Sequence, residues 1–461
     1  MENASGLSLD QFRLWYSQAG TPVIEAETSH DVEAKTLTLR LRQSCRPTPE
    51  QAQKRPFHIP LRLGLIGRDG NDLPLELAAN AERLSGEVLS LTNMEETFVF
   101  RNIGEPPVLS LLRGFSAPTK LVDNLSDDGL LFLIGCDSDP FNRWEAARRY
   151  AERHILRGVK AVQDGKPVLP SDSYEDALRR TLGDPTLDPS FVAQTLSLPG
   201  DIELAQAMDV VDPDAIDAAR HASLQSLAVA IKDELLSAYA QNEIMEPHDP
   251  GAEQAGRRAL RNRALVLVAT LGTDEVAELA MRHFTRADNM TDAMAALTAL
   301  NDLDRPERGE ALAAFYERWK DDDLVVNKWL SLQALSRLPD TLERVRALMR
   351  HESFDLKTPN RVRALIGSFI QGNHVRFHAM NGDGYRLAAD VVRDLDPLNP
   401  QVAARLLGAF ESWRRYDPVR RGHMESALQR LLDRQSISKN VFEIASKILK
   451  PVAAASRHES T

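Results

Sequence analysis

The chain has 461 residues, 43% of them hydrophobic and 27% charged, so it can form at least two packed cores and is neither disordered nor fibrous. Its formal net charge of −11 argues against a nucleic-acid binder, and its two cysteines, Cys45 and Cys136, argue against a disulfide framework or a thiolate zinc site. No segment approaches the roughly 20 apolar residues of a membrane span, and the N-terminus lacks a signal-peptide pattern, so we expect a cytoplasmic protein without membrane partners.

The first predicted element is a short helix within residues 1–20. Phe12, Trp15 and Tyr16 crowd one side of it. A helix of this length cannot bury three aromatic rings by itself. We therefore expect it to dock on another part of the protein.

From residue 22 to about 125, apolar and polar residues alternate, which is the period of a half-buried β-strand. The alternation is clearest in residues 37–42 and 59–65, and further strand-like runs occupy 96–100 and 107–114. About seven short strands without a helical stretch predict a small antiparallel β-sandwich of the immunoglobulin-like kind.

From about residue 126 the pattern is that of amphipathic helices. Several helix starts carry a capping residue followed by proline, which loses only a donor that would be unpaired anyway. These capping residues are Asp139, Asp188, Asp212, Thr358 and Asn399. The last two prolines lie 400 − 359 = 41 residues apart, close to the helix-pair repeat of roughly 40–47 residues. The pattern predicts a large all-α superhelical domain of the HEAT or armadillo type.

Together these patterns place the chain in the α+β multidomain class. The predicted division is a helix at 1–21, a β-sandwich domain at 22–125, a helical-repeat domain at 126–450 and a flexible tail at 451–461.

No common catalytic motif is complete. The nearest approach to HExxH is His351-Glu352, which has no second histidine and precedes a helix. The phosphate loop, the dinucleotide fingerprint and the nucleophile elbow do not occur, and the other histidines form no tight ligand spacing. We predict no catalytic residue and no metal site in this chain.

The best candidates for a binding site lie on the two proline-started helices near the C-terminus. Gln401 and Arg405 are four residues apart and share a helix face, as do Asn360 and Arg363 on the earlier helix. With Arg361, these residues would converge on a concave surface if the helix pairs stack, and arginine there suits the carboxylate of a peptide. The alternative is that the arginines form ion pairs with local carboxylates or simply solvate the surface.

Nine segments along the chain match one known family in order: FRLWYSQAGTP (12–22), RPFHIPLRLGLIG (55–67), ETFVF (96–100), LLRGFSAP (111–118), FNRWEAA (141–147), NMTDAMAAL (289–297), TPNRVRALIG (358–367), NPQVAARL (399–406) and RRYDPVRR (414–421). Spanning residues 1 to about 450, they resemble the C-terminal half of the bacterial aminopeptidase N family of zinc-dependent alanyl aminopeptidases.

The resemblance implies that residues 1–21 are the last helix of a thermolysin-like catalytic domain, which would leave the Trp15 helix without a packing partner in this chain. It implies that the helical domain caps an active site. The family's HExxH, distal glutamate, GAMEN motif and catalytic tyrosine belong upstream and do not occur here. The resemblance therefore implies a chain that is inactive alone and has no cofactor, although the intact enzyme uses zinc.

By the resemblance, Gln401 matches a residue that closes over the first side chain of the substrate. Arg363 and Arg405 match arginines that face the cavity where peptide tails lie, and Asn360 and Arg361 are neighbours with weaker claims. The implied function is to enclose the active site of an enzyme that removes N-terminal residues from peptides, with the missing catalytic domain as packing partner. The alternative is a stand-alone helical-repeat scaffold that binds a peptide or protein.

Overall fold

The computed structural model describes residues 8–450. The chain divides into two compact units: Met1–Ala151 with Ser171–Ser197, and Glu152–Pro170 with Leu198–Thr461. The tail predicted to be flexible, 451–461, lies outside the described residues.

The N-terminal helix, α1 (Leu14–Ser17), packs on the sandwich of its own unit. Leu14 belongs to the sandwich core, and the Trp15 ring lies 4.6 Å from that of Phe57. The Trp15 indole Nε1 also donates a 2.9 Å hydrogen bond to the carbonyl of His58. The predicted docking is confirmed, but the expectation that this helix has no partner within the chain is wrong, because the sandwich supplies one. Tyr16, 86% exposed, and Phe12, 36% exposed, stay outside the core.

Eight strands form two four-stranded sheets within the first unit. They are β1 (Val23–Asp31), β2 (Thr36–Ser44), β3 (Ile59–Ile66), β4 (Leu84–Ser85), β5 (Val88–Leu91), β6 (Glu95–Arg101), β7 (Val108–Leu111) and β8 (Lys120–Asp123). The strand orders are β6-β2-β1-β8 and β4-β5-β3-β7, and every pairing is antiparallel except the parallel pair of β1 and β8. The predicted small sandwich is confirmed.

The strand alternation decides which side chains enter the sandwich core. Leu37, Leu39 and Leu41 of β2 are buried, whereas Arg40 lies outside and pairs with Glu95 on β6. Because side chains of a strand alternate between its two faces, this pattern fixes the register of the sheet.

Helices make up the remainder of the first unit and almost all of the second. In chain order they are α2 (Asp127–Cys136), α3 (Pro140–Gln163), α4 (Asp172–Gly183), α5 (Pro189–Thr195), α6 (Asp201–Gln206), α7 (Pro213–Ala230), α8 (Lys232–Gln241), α9 (Ala252–Ala269), α10 (Asp274–Arg286), α11 (Met290–Asn301), α12 (Pro306–Trp319), α13 (Asp323–Ala334), α14 (Thr341–Leu348), α15 (Pro359–Val362), α16 (His374–Phe377), α17 (Asp383–Leu395), α18 (Pro400–Leu406), α19 (Pro418–Leu432) and α20 (Lys439–Leu449). Within residues 8–450, none of these helices is both long and apolar enough to cross a bilayer. The predicted large helical domain is confirmed.

Proline-started helices occur where the sequence predicts them, but their capping differs. The side chain of Asn399 accepts the N–H of Val402 at 3.1 Å and caps α18. The Thr358 side chain makes no such bond, so its predicted capping role is wrong. Its backbone carbonyl instead accepts the N–H groups of Arg361 and Val362 at 3.0 and 3.2 Å, which holds the first turn of α15 without the hydroxyl.

After α15 the chain continues as a π-helix, Arg363–Gly372. Its apolar side carries a stripe of Leu365, Ile366 and Phe369, each with no exposed surface. The sequence predicts an α-helix here, however, and the observed segment follows the wider i→i+5 hydrogen-bond pattern.

Candidate functional site

The π-helix and α18 border a pocket of about 470 Å³ in the second unit. Its lining combines three apolar side chains with two cations, two neutral polar groups and two glycines. These residues are Leu335, Arg363, Gly367, Ser368, Gln371, Gly372, Val402, Arg405 and Leu406.

The π-helix explains which of its residues reach the pocket. In an i→i+5 helix, residues four or five apart lie along one side. Arg363 and Ser368 are five apart, as are Gly367 and Gly372, and all four line the pocket. The opposite side is the buried stripe described above. The wider helix therefore separates a pocket face from a core face.

Two guanidinium groups, those of Arg363 and Arg405, line this pocket. Arg405 is exposed, and within the described part of the chain its side chain has no ion pair or hydrogen bond. Arg363 is also exposed, and among residues 8–450 it donates only to the Oδ1 of Asn360, at 3.2 Å. No carboxylate lines the pocket over residues 8–450. Two cations without counter-ions beside an apolar floor can bind an anionic group that carries an apolar part.

The other candidates lie elsewhere. Arg361 is buried and donates to Asp323 Oδ1 at 2.7 Å and to Asn327 Oδ1 at 2.9 Å, which ties α15 to α13. For this residue the ion-pair alternative is therefore correct. Asn360 reaches the pocket only through Arg363. Gln401 is exposed on α18, four residues before Arg405, and does not line the pocket.

Sequence reasoning missed the neutral polar residues of the pocket, Ser368 and Gln371. Under an α-helical period Gln371, eight residues on, shares a face with Arg363, whereas Ser368, five residues on, does not. The i→i+5 pattern brings Ser368 onto that face as well, and the only available signal for it was the pair of glycines, Gly367 and Gly372, that flank the two residues in sequence.

A buried cluster of histidines and tyrosines follows the π-helix. His374 and His378 are four residues apart, with ring centroids separated by 4.9 Å. His378 contacts the hydroxyl of Tyr385 through Nδ1 and that of Tyr416 through Nε2, both at 2.9 Å. The Tyr416 hydroxyl also lies 3.2 Å from His374 Nε2.

The electrostatics of this cluster favour neutral imidazoles. Burial, and then the charge of Arg420, lowers the pKa of His374 to about 4. Burial and the neighbouring His374 and Arg420 lower the pKa of His378 well below its usual value. In the described residues no three potential ligand side chains are grouped to hold a metal. We interpret the cluster as a packed support for the end of the π-helix.

The histidine of the HExxH-like segment packs against aromatic rings. His351 lies between α14 and α15, as predicted, and its Nδ1 lies 2.7 Å from the hydroxyl of Ser353. Its ring packs against those of Tyr316 and Trp329, with centroids at 4.9 and 5.3 Å.

Family comparisons agree with this architecture. Residues 127–450 match the DUF3458_C family, described as a domain of unknown function with ARM repeats. Residues 20–124 match the DUF3458 family, described as a domain of unknown function with an Ig-like fold.

The similar proteins are all described as aminopeptidases. The chain is 38% identical over 449 residues to aminopeptidase N of Escherichia coli (strain K12), a match that covers 97% of this chain and 51% of that protein. It is 39% identical over 447 residues to aminopeptidase N of Caulobacter vibrioides, with 97% and 50% covered. A crystal structure of Legionella pneumophila aminopeptidase A in complex with aspartic acid superposes with a TM-score of 0.81 at 30% identity, over 97% of this chain and 51% of that one.

The chain therefore spans about half the length of the curated relatives it matches. These matches confirm the resemblance to the C-terminal part of aminopeptidase N that nine segments indicated.

Proposed function

Because this chain belongs to the DUF3458_C family of ARM-repeat domains, we propose that it is the non-catalytic part of a zinc metallo-aminopeptidase and lines its peptide cavity. The observation that carries this proposal is the pocket between the π-helix and α18, where Arg363 and Arg405 lie without carboxylate partners. The free C-terminal carboxylate of a peptide supplies the missing negative charge. The apolar floor of Leu335, Val402 and Leu406 suits the side chain beside it.

Each candidate residue takes a distinct role in this proposal. Arg363 and Arg405 bind the peptide carboxylate through charge-assisted hydrogen bonds. Asn360 orients Arg363 through the bond at 3.2 Å. Gln401, on the same helix as Arg405, contacts the first side chain of the substrate. Arg361 acts on none of these groups and instead holds α15 in place.

The remaining parts of such an enzyme lie outside this chain. In the proposed assembly the zinc ion and the peptide-cleaving residues belong to a catalytic partner domain, and the enzyme works in the cytoplasm. The exposed rings of Tyr16 and Phe115 in the first unit are apolar surface that such a domain can cover.

A chimera tests the proposal. This chain replaces the matching C-terminal part of the Escherichia coli relative, and KM is measured for a pentapeptide with a free C-terminal carboxylate and for its C-terminal amide. Arg363→Gln and Arg405→Gln should each raise KM for the free peptide about tenfold, because each removes a charge-assisted contact. The KM for the amide should change little.

Arg393→Gln is the matched control, since Arg393 is a partly exposed arginine that pairs with Asp390 and Asp394 and does not line the pocket. Equal KM changes for the free and the amidated peptide would refute the carboxylate role. Cleavage of an alanyl arylamide by the purified chain alone would refute the non-catalytic role.

A further inference from the structure

The first unit contains a second cavity that the proposed function does not use. Its volume is about 840 Å³, within the range of roughly 300–1,000 Å³ of small-molecule sites. It lies at the N-terminal ends of α3 and α5. Apolar groups dominate its lining, and the only charged residues in it are Arg143 and Asp188.

Aromatic rings form one side of this cavity. The ring centroids of Phe141 and Trp144 are 5.5 Å apart, and the partly exposed Phe115 lies 5.5 Å from Phe141. Phe191, from α5, contributes another ring. Because aromatic rings associate at centroid distances of roughly 4.5–7 Å, such a wall accepts a further ring from a ligand.

Hydrogen bonds hold the two charged side chains in place, but some polar atoms of each charged group make no hydrogen bond within residues 8–450. Arg143 donates through Nε to the carbonyl of Ile134 at 2.9 Å, and its guanidinium carbon lies 6.0 Å from the Phe191 ring centroid. Within residues 8–450 its two terminal nitrogens have no hydrogen-bond acceptor. Asp188 caps α5 through Oδ1, which accepts the N–H groups of Ser190 and Phe191 at 2.8 and 3.3 Å. Its Oδ2 has no hydrogen-bond donor in the described part.

We propose that this cavity binds a free aromatic amino acid. The ligand ring packs against Phe141 and Trp144, its carboxylate accepts from the terminal nitrogens of Arg143, and its ammonium donates to Asp188 Oδ2. A zwitterion satisfies both charged residues, whereas an aromatic anion or an aromatic amine leaves one of them unmatched. This site lies in a different unit from the peptide pocket, and the two linings share no residue.

A ligand series tests the three contacts separately. Binding of phenylalanine, phenylacetate, phenethylamine and leucine to the whole chain is measured by saturation-transfer NMR titration. Phenylalanine should bind with a Kd of about 1 mM. Phenylacetate lacks the ammonium, phenethylamine the carboxylate and leucine the ring, so each should bind about tenfold more weakly.

A matched pair of variants assigns the binding to this cavity. Asp188→Asn keeps a good helix cap but removes the charge. It should weaken the binding of phenylalanine about tenfold and leave the binding of phenylacetate unchanged. The control is Asp212→Asn, because Asp212 also precedes a proline and caps its helix, α7, by accepting the N–H of Ala215 at 3.1 Å, outside the cavity.

Three results would overturn the proposal: no phenylalanine binding up to about 10 mM, equal affinity for all four ligands, or the same response of Asp188→Asn and Asp212→Asn. Since the readout is binding and not peptide cleavage, these results are independent of the proposed function.

Discussion

Two buried arginines with opposite surroundings allow a direct test of what stabilises the helical unit. Arg420 is 3% exposed and donates through Nε to the carbonyl of His378 at 2.6 Å and through Nη1 to Asp417 at 2.8 Å. It also pairs with Asp214. Burial lowers the pKa of Arg420, but these two carboxylates outweigh burial, so the pKa is raised. Replacing the guanidinium with an apolar group leaves both carboxylates without their partner.

Arg308 is equally buried, at 3% exposed, but lacks such partners. Its Nε and Nη2 have no acceptor in the described residues, and its nearest paired carboxylate, Asp340, lies 4.0 Å from Nη1. Asp340 also bonds to Arg344 at 2.8 Å. Burial, followed by the charge of Arg344, lowers the pKa of Arg308, the reverse of the shift at Arg420. The charge of Arg308 is therefore buried with weaker compensation than that of Arg420.

Because Asp417 and Asp214 keep 27% and 56% of their side-chain surface exposed, water can solvate both carboxylates once the guanidinium is gone. We therefore expect Arg420→Met to lower the free energy of unfolding by about 1.5–3 kcal/mol, the loss of hydrogen bonds to charged groups. Arg308→Met removes an equally buried charge that is less well compensated, and it should change this free energy by less than about 1 kcal/mol or raise it. Thermal unfolding followed by circular dichroism should show a Tm roughly 3–6 °C lower for the first variant only. A similar loss of Tm in both variants would refute the argument that hydrogen-bonded carboxylates, and not burial itself, make Arg420 stabilising.

Further predictions concern acid sensitivity, the N-terminal helix and two glycines. The pKa of His374 in the folded chain is about 4, below its unfolded value, so the neutral form is favoured by folding. Its contribution to stability is full above about pH 6.5 and is lost as the pH falls towards 4, by up to about 3 kcal/mol. Urea unfolding of the wild type and His374→Gln at pH 7 and pH 5 should therefore show a smaller pH effect in the variant. Trp15→Ala should lower the free energy of unfolding by about 2–3 kcal/mol. Because it uncovers the sandwich core, amide hydrogen exchange in β3 should increase, and unchanged exchange would contradict the packing of α1. Gly384→Ala should destabilise, because its Cβ would lie 2.2 Å from the carbonyl oxygen of Phe377. Gly309→Ala, in helix α12 with open space around the new atom, should stabilise by about 1 kcal/mol. Equal Tm values for the two alanine variants would contradict this assignment.

The parts of the fold that depend on local period could be predicted from the sequence. The alternation over residues 37–42 predicts the buried leucines of β2, and the Asn399-Pro400 pair predicts the start and cap of α18. In both cases the determining interactions lie within a few residues, so the pattern carries the information.

The candidate site could be predicted only in part, because its details depend on distant partners. Arg361 and Arg363 are identical in type and two positions apart, yet Arg361 is held by Asp323, 38 residues earlier, while Arg363 faces the pocket. The helical period places them on different sides of the helix, but it does not identify the partner of either. The choice between an α-helix and a π-helix over residues 363–372 likewise depends on tertiary packing, and that choice decides which neutral residues join the arginines.

The π-helix also has a consequence for how this region can change in evolution. Because its two faces are separated by the i→i+5 register, removing one residue near Gly367 would return the following segment to the α-helical register. Ser368 and Gln371 would then lie four and seven residues after Arg363, which is the same face of an α-helix. Deletion of a single residue is therefore a genetic step that would replace the π-helix with an α-helix and still keep these side chains on the pocket face.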